Sequence, residues 1–90
     1  MKLVWRDDAL EDIEAIVGYI SERNSSAAER LADRIQSCAE RLVRLPFAYR
    51  VGRAPGTREA VVHPNYIMIY TVTRDAVENL NIVHSRQRYP

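Results

Sequence analysis

Lysine is almost missing from this 90-residue chain: twelve of its thirteen basic residues are arginine, and Lys2 stands alone. Any cationic site must therefore be built from guanidinium groups, which suit bidentate carboxylate or phosphate contacts and do not readily release a proton near neutral pH. Cysteine is just as scarce. The single Cys38 excludes an internal disulfide. It falls on the apolar stripe of a predicted helix, so it reads as a small core residue suited to reducing conditions. The longest apolar run, around Tyr66 to Val72, is far short of the roughly 20 residues of a bilayer crossing, and the opening MKLVWRDD has no apolar signal region. A cytoplasmic protein with no membrane partner is expected. There is no repeat, low-complexity tract or Pro/Gly-rich linker, so residues 1–90 read as one domain. His, Cys, Asp and Glu form no cluster at metal-ligand spacing, and neither a metal nor another cofactor is expected.

What is present describes an ordinary folded domain, with 47% apolar and 28% charged residues. A chain this short buries roughly 60% of its unfolded surface, so its stability is marginal. The net charge of +1 argues against bulk nucleic-acid binding, and sequence-specific DNA binding is not expected. Charge is nevertheless sorted: residues 1–45 hold seven basic and nine acidic side chains, whereas residues 46–90 hold six arginines and three acids.

The hydrophobic spacing supplies the elements. Lys2 to Trp5 alternates like a short strand, and Trp5 is a candidate core anchor. Asp7 and Asp8 offer an N-cap, with Glu11 completing a capping box, for a helix that buries Ile13, Ile16, Val17 and Ile20 and stops near Asn24. Ser26 and Glu29 repeat the capping pattern before a longer helix, whose stripe of Leu31, Ile35, Cys38, Leu42 and Leu45 ends at Pro46. A link of about three residues between them forces an antiparallel helical hairpin. Residues 46–57 read as a loop carrying Arg50 and Arg53. Arg58 to Val62, Tyr66 to Thr73 and Ala76 to Val83 read as a three-stranded antiparallel meander with an apolar middle strand. The result is an α+β fold: strand, helical hairpin, three strands, with the helices on one face of the sheet.

This order resembles the RelE/ParE toxin superfamily, most closely its ParE-like branch. The likeness is carried by the acidic first helix around Asp8, Ile13 and Tyr19-Ile20, the Asn24 to Ala28 turn, Leu45-Pro46 and Gly56-Thr57-Arg58-Glu59. It continues through His63-Pro64-Asn65-Tyr66-Ile67-Met68-Ile69-Tyr70 and His84-Ser85-Arg86-Gln87-Arg88-Tyr89-Pro90, and so covers essentially the whole chain. The resemblance implies the toxin of a type II toxin-antitoxin system that stabilises a plasmid or chromosome and is neutralised by a ParD- or RelB-like antitoxin. It implies either of two activities, poisoning of DNA gyrase or ribosome-dependent cleavage of messenger RNA. A degenerate relative that only binds its antitoxin and helps repress their operon is a third reading.

RNA cleavage needs a general base, a general acid and cationic stabilisation of the crowded phosphate. Arg58 and Arg86 resemble two arginines of the RelE-like pattern, but its lysines are absent, and Tyr89 does not stand at the matching offset from Arg86. His63 and His84 are the remaining acid/base candidates, against a plainer role in ordering their turns. Nothing pairs Ser85 or Cys38 with an Asp at an obvious spacing, so a nucleophilic triad is disfavoured. Arg58, Arg86 and Arg88 sit at strand ends and are expected to converge on one rim, there to receive phosphate or an acidic antitoxin segment. Tyr66 and Tyr70 share a strand face with Met68 and Val72, which fits core or partner-groove packing better than base stacking. The favoured reading is a ParE-like toxin acting by binding, with Arg53, Arg58, Tyr66, Tyr70, Arg86 and Arg88 as contact candidates. Under the enzymatic alternative the set is Arg58, His63, His84, Arg86 and Tyr89.

Overall fold

The computed structural model describes residues 1–89; Pro90, which closes the C-terminal string, lies outside the described residues. The chain runs β1 (Lys2–Trp5), α1 (Asp7–Ser21), α2 (Ser25–Arg44), β2 (Arg50–Val51), β3 (Arg58–His63), β4 (Tyr66–Val72) and β5 (Ala76–His84). The strands form one sheet in the order β1-β5-β4-β3-β2, parallel between β1 and β5 and antiparallel elsewhere. The helical hairpin, the meander and the later-joined first strand stand as expected, while the stretch read as loop contains the two-residue strand β2. Two residues are too few for any period to declare them.

Both helix starts differ from the expected capping boxes. The N-cap of α1 is Arg6, with no side-chain hydrogen bond, and Asp7 and Asp8 lie inside the first turn, where their charges favour the helix dipole. Asn24 caps α2, its side-chain oxygen accepting the Ala27 N–H at 3.0 Å, two residues before the expected Ser26. Asn24 thus closes one helix and opens the next: its own N–H bonds Ile20 O at 2.8 Å.

The core lies between α2 and the inner sheet face. Leu31, Ile35, Cys38, Ala39 and Leu42 meet Ala60, Val62, Met68, Tyr70, Val77 and Ile82, with Trp5, Ile13, Ile16, Ile20, Tyr66 and Val72 packed around them. In α1 only Ala9 is fully buried, so α2 is the principal core helix. Burying a Leu or Ile side chain contributes roughly 1.5–3 kcal/mol, which makes Leu42 and Ile35 principal supports. A bulge opposite Ile69 and Tyr70 leaves Leu80 without a partner and turns Asn79 into the core opposite Tyr70.

The sheet edges are treated unequally. β1 ends at Trp5, which leaves the second half of β5 open. Asp12 of α1 closes it, accepting Ile82 N–H at 2.9 Å and the Asn81 amide at 3.2 Å, and Gln87 accepts His84 N–H at 3.3 Å. Side-chain capping of this kind blocks pairing with another chain. On the far side β2 covers β3 only at Arg58 and Glu59.

Candidate functional site

Strand alternation sends neighbouring residues of β3 to opposite faces, and this divides the expected site. Arg58 lies on the helix side, where its guanidinium donates to Tyr49 O at 2.7 Å and Phe47 O at 3.5 Å and sits 5.0 Å from the Phe47 ring centroid. Tyr70 meets it there, fully buried, its hydroxyl donating to Pro46 O at 2.7 Å and its ring edge-on to Tyr49 at 6.4 Å. Burial is the main cause that pushes the Tyr70 phenol up to about 12, against a smaller lowering by Arg58. Together Arg58 and Tyr70 anchor the segment from Pro46 to Tyr49.

The face turned away from the helices carries a second apolar cluster of Ile67, Ile69 and Val83, with Leu80 and Tyr89 packed on it. Beside it stands the most organised charge in the chain. Glu59, its side chain 3% exposed, accepts Arg50 Nε at 3.0 Å on one oxygen, with Arg50 Nη2 2.8 Å from it in an ion pair, and Arg53 N–H at 3.0 Å and Nε at 3.2 Å on the other. Burial alone would raise its pKa, but the Arg53 N–H and guanidinium, helped by Arg50, outweigh burial and hold it below the ordinary carboxyl value. Arg53 in turn lies 3.9 Å over the Tyr89 ring, so the tail folds back across the outer sheet face. The Tyr89 hydroxyl is buried there without a hydrogen-bond partner.

His63, Tyr66 and His84 form a third group at the far end of the meander, the two imidazoles lying 5.7 and 5.6 Å from the tyrosine ring between them. Each histidine orders its own turn: His63 Nδ1 accepts Asn65 N–H at 3.0 Å, and His84 Nδ1 accepts Arg86 N–H at 3.1 Å. Arg86 and Arg88 are exposed just beyond and make no ion pair among the described residues.

The expected rim of arginines is therefore not built. Arg58 pairs with Tyr70 and His84 with Tyr66, so Arg58 and the turn carrying Arg86 are at opposite ends of β4 and about 13 Å apart along it, from roughly 3.3 Å per residue. The chain instead brings together Arg53 with Tyr89, Arg58 with Tyr70, and His63 with Tyr66 and His84. Sequence reasoning passed over Glu59 as a site residue. The available signal was a lone carboxylate among apolar neighbours of a strand, with two arginines shortly before it. Cys38 is buried, and burial, only partly opposed by Arg41, raises its thiol pKa, which disfavours a nucleophilic role.

A small domain with a helical hairpin on one face of a mixed five-stranded sheet and no assembled metal cluster among the described residues defines a compact α+β class. Residues 3–89 match the profile of the family described as the ParE toxin of type II toxin-antitoxin system, parDE. The chain is 34% identical over 90 residues to Y4kP of Sinorhizobium fredii, named as a candidate toxin, covering 99% of this chain and 93% of that protein. It is 36% identical over 84 residues to toxin RelE2 of Caulobacter vibrioides, covering 93% and 94%. Among solved structures, a chain of the chromosomal ParDE system from P. aeruginosa superposes with a TM-score of 0.81 at 22% identity, over 93% of this chain and 95% of that one. The YoeB/ParE toxin from Agrobacterium tumefaciens gives 0.69 at 20% identity, over 99% and 100%. The two structural likenesses speak for the fold. The chain belongs to the ParE toxin family of the RelE/ParE type II toxin-antitoxin superfamily. That membership stands on sequence and fold, and owes nothing to the arginine rim expected earlier.

Proposed function

We propose that this toxin arrests growth in the cytoplasm by binding an intracellular target, with DNA gyrase the favoured one, and that a ParD-like antitoxin neutralises it. The observation supporting binding over catalysis is the dispersal of the acid/base candidates. His63 and His84 each commit Nδ1 to a backbone N–H, while Arg58 lies at the other end of β4, bonded to the carbonyls of Tyr49 and Phe47. Cleavage of RNA requires such groups to meet around one phosphate.

One feature favours the messenger-RNA alternative: Glu59, Arg50, Arg53 and Tyr89 do gather a carboxylate, two cations and a phenol on the outer face. Both Glu59 oxygens are already engaged, however, and a carboxyl with lowered pKa is a weak proton acceptor. Expression without antitoxin should arrest growth with stalled replication and inhibited gyrase supercoiling while transcripts stay intact, and His84→Ala should remain toxic. Rapid codon-positioned transcript cleavage would establish the nuclease reading instead, and absence of any growth defect would point to a co-repressor.

A further inference from the structure

The two histidines do the same work at the same end of the meander. His63 Nδ1 accepts the N–H of Asn65 at 3.0 Å and His84 Nδ1 accepts that of Arg86 at 3.1 Å, each two residues on in its own turn. A backbone N–H can only donate, so both Nδ1 atoms are unprotonated and each neutral ring carries its proton on Nε2. The two turns are also joined. Ser85 N–H bonds Asn65 O at 2.8 Å, Tyr66 pairs with His84 across the strands, and the Tyr66 ring lies between the imidazoles. Gln87 completes the second turn, its N–H bonding His84 O at 2.9 Å while its side-chain oxygen accepts His84 N–H at 3.3 Å.

An imidazolium has a donor at both nitrogens, so a proton arriving on Nδ1 sets N–H against N–H and removes the acceptor that closes the turn. Turning the ring over does not restore it. Both rings are half-buried and within reach of water. On the α2 side His63 shares a hollow of about 290 Å³ with Arg30, Asp33 and Arg34, and His84 shares one of about 350 Å³ with Tyr66 and with Asp12 of α1, while Arg86 follows it in its own turn. Neither carboxylate belongs to a turn, so neither replaces the acceptor that the Asn65 or Arg86 N–H loses. The geometry is that of an Asx turn, in which an asparagine oxygen accepts the N–H two residues on. Asparagine would close these turns without titrating; what histidine adds is sensitivity to protons. From the second turn the chain returns to the outer sheet face, where Tyr89 packs on Ile67, Ile69 and Val83 under Arg53. That seat is imperfect, because the buried Tyr89 hydroxyl has no partner, and the turn helps to hold the tail in it.

We propose that His63 and His84 form a proton-operated catch: with both imidazoles neutral the joined turns hold the tail from Ser85 to Tyr89 on the outer face, and protonation releases it. Release uncovers the cluster of Ile67, Ile69 and Val83, frees Arg86 and Arg88 from a fixed position and withdraws Gln87 from the open edge of β5. The catch works in the same way whichever intracellular target the toxin binds.

Amide exchange of the full chain, divided by the intrinsic rate at each pH, tests this at about pH 7.5 and about pH 5, which bracket ordinary imidazole protonation. The Asn65 and Arg86 amides should exchange roughly tenfold faster in acid, the weight of one lost hydrogen bond, while amides of buried residues such as Leu42 and Met68 stay protected. Nuclear Overhauser contacts between the Tyr89 ring and Val83 should fade over the same range. His84→Asn, checked for folding by circular dichroism, keeps an acceptor for the Arg86 N–H and cannot be protonated. In that variant the Arg86 amide should stay protected in acid while Asn65 still opens, and adding His63→Asn should keep the tail seated at both pH values. Equal protection of Asn65 and Arg86 at both pH values in the parent, a measurement that needs no variant, would overturn the catch. So would an Arg86 amide that opens in acid as readily in His84→Asn as in the parent, because the opening would then owe nothing to imidazole charge.

Discussion

Glu59→Gln is the sharpest test of how the outer face is held together. The carboxylate, on a side chain only 3% exposed, accepts three hydrogen bonds, one from Arg50 and two from Arg53, and Arg50 Nη2 lies 2.8 Å away in the ion pair. A glutamine keeps one acceptor oxygen and turns an NH2 toward the donors of whichever arginine faces its other end. Charge-assisted bonds are worth roughly 1.5–3 kcal/mol each, but Arg50 and Arg53 are 58% and 45% exposed and recover part of this from water. A net loss of about 2–4 kcal/mol follows, against a total stability of roughly 5–13 kcal/mol for a domain of this size. The melting temperature should fall by roughly 10–25 °C.

The pH dependence supplies a second arm. Because the Glu59 pKa is lowered by folding, its contribution is whole above the ordinary value of 4.5 and drains away as pH falls through the lower folded value. Chemical denaturation followed by circular dichroism should therefore separate parent and variant widely at neutral pH, and the gap should close in strong acid as the parent protonates. A variant within about 0.5 kcal/mol of the parent at neutral pH, the size of an ordinary surface substitution, would refute the reasoning. So would a gap that stays constant down through the acid range.

Two further outcomes follow from buried groups. Tyr70→Phe should cost about 1–2 kcal/mol by orphaning the Pro46 carbonyl, and should speed amide exchange between Pro46 and Tyr49. In the parent, the Tyr70 pKa is raised from 10.0 to about 12, so the fold should lose stability across that alkaline window; spectrophotometric titration showing all five tyrosines ionising near 10 would contradict it. Cys38, buried and with its thiol pKa raised by burial, should resist thiol reagents until the chain unfolds, so rapid labelling of native protein would show the site to be open.

Much of the fold was legible because its signals are local and periodic. The stripe of Leu31, Ile35, Cys38 and Leu42 names its own buried face, and Pro46 names its end. The β-branched strands divided by His63-Pro64-Asn65 and Arg74-Asp75 announce the meander. Capping was less legible: Asp, Asn and Ser near each helix start all qualify in principle, and only the backbone path selected Asn24 for α2 and left α1 with Arg6.

The site was harder to read, since its residues meet through register and not through spacing. Arginines at strand ends suggest a rim only if the ends coincide, and antiparallel pairing places Arg58 and the turn after His84 at opposite ends of β4. The arginines that do line up lie on α2, inside the half of the chain whose net charge is acidic, because helical winding sorts Arg30, Arg34, Arg41 and Arg44 onto a single side. Composition and period by themselves determined that this chain is a two-helix, meander-bearing domain whose cationic sites must be guanidinium. Only the tertiary structure decided which of those cations face one another and which strand edge is left open, since both depend on contacts between residues distant in sequence.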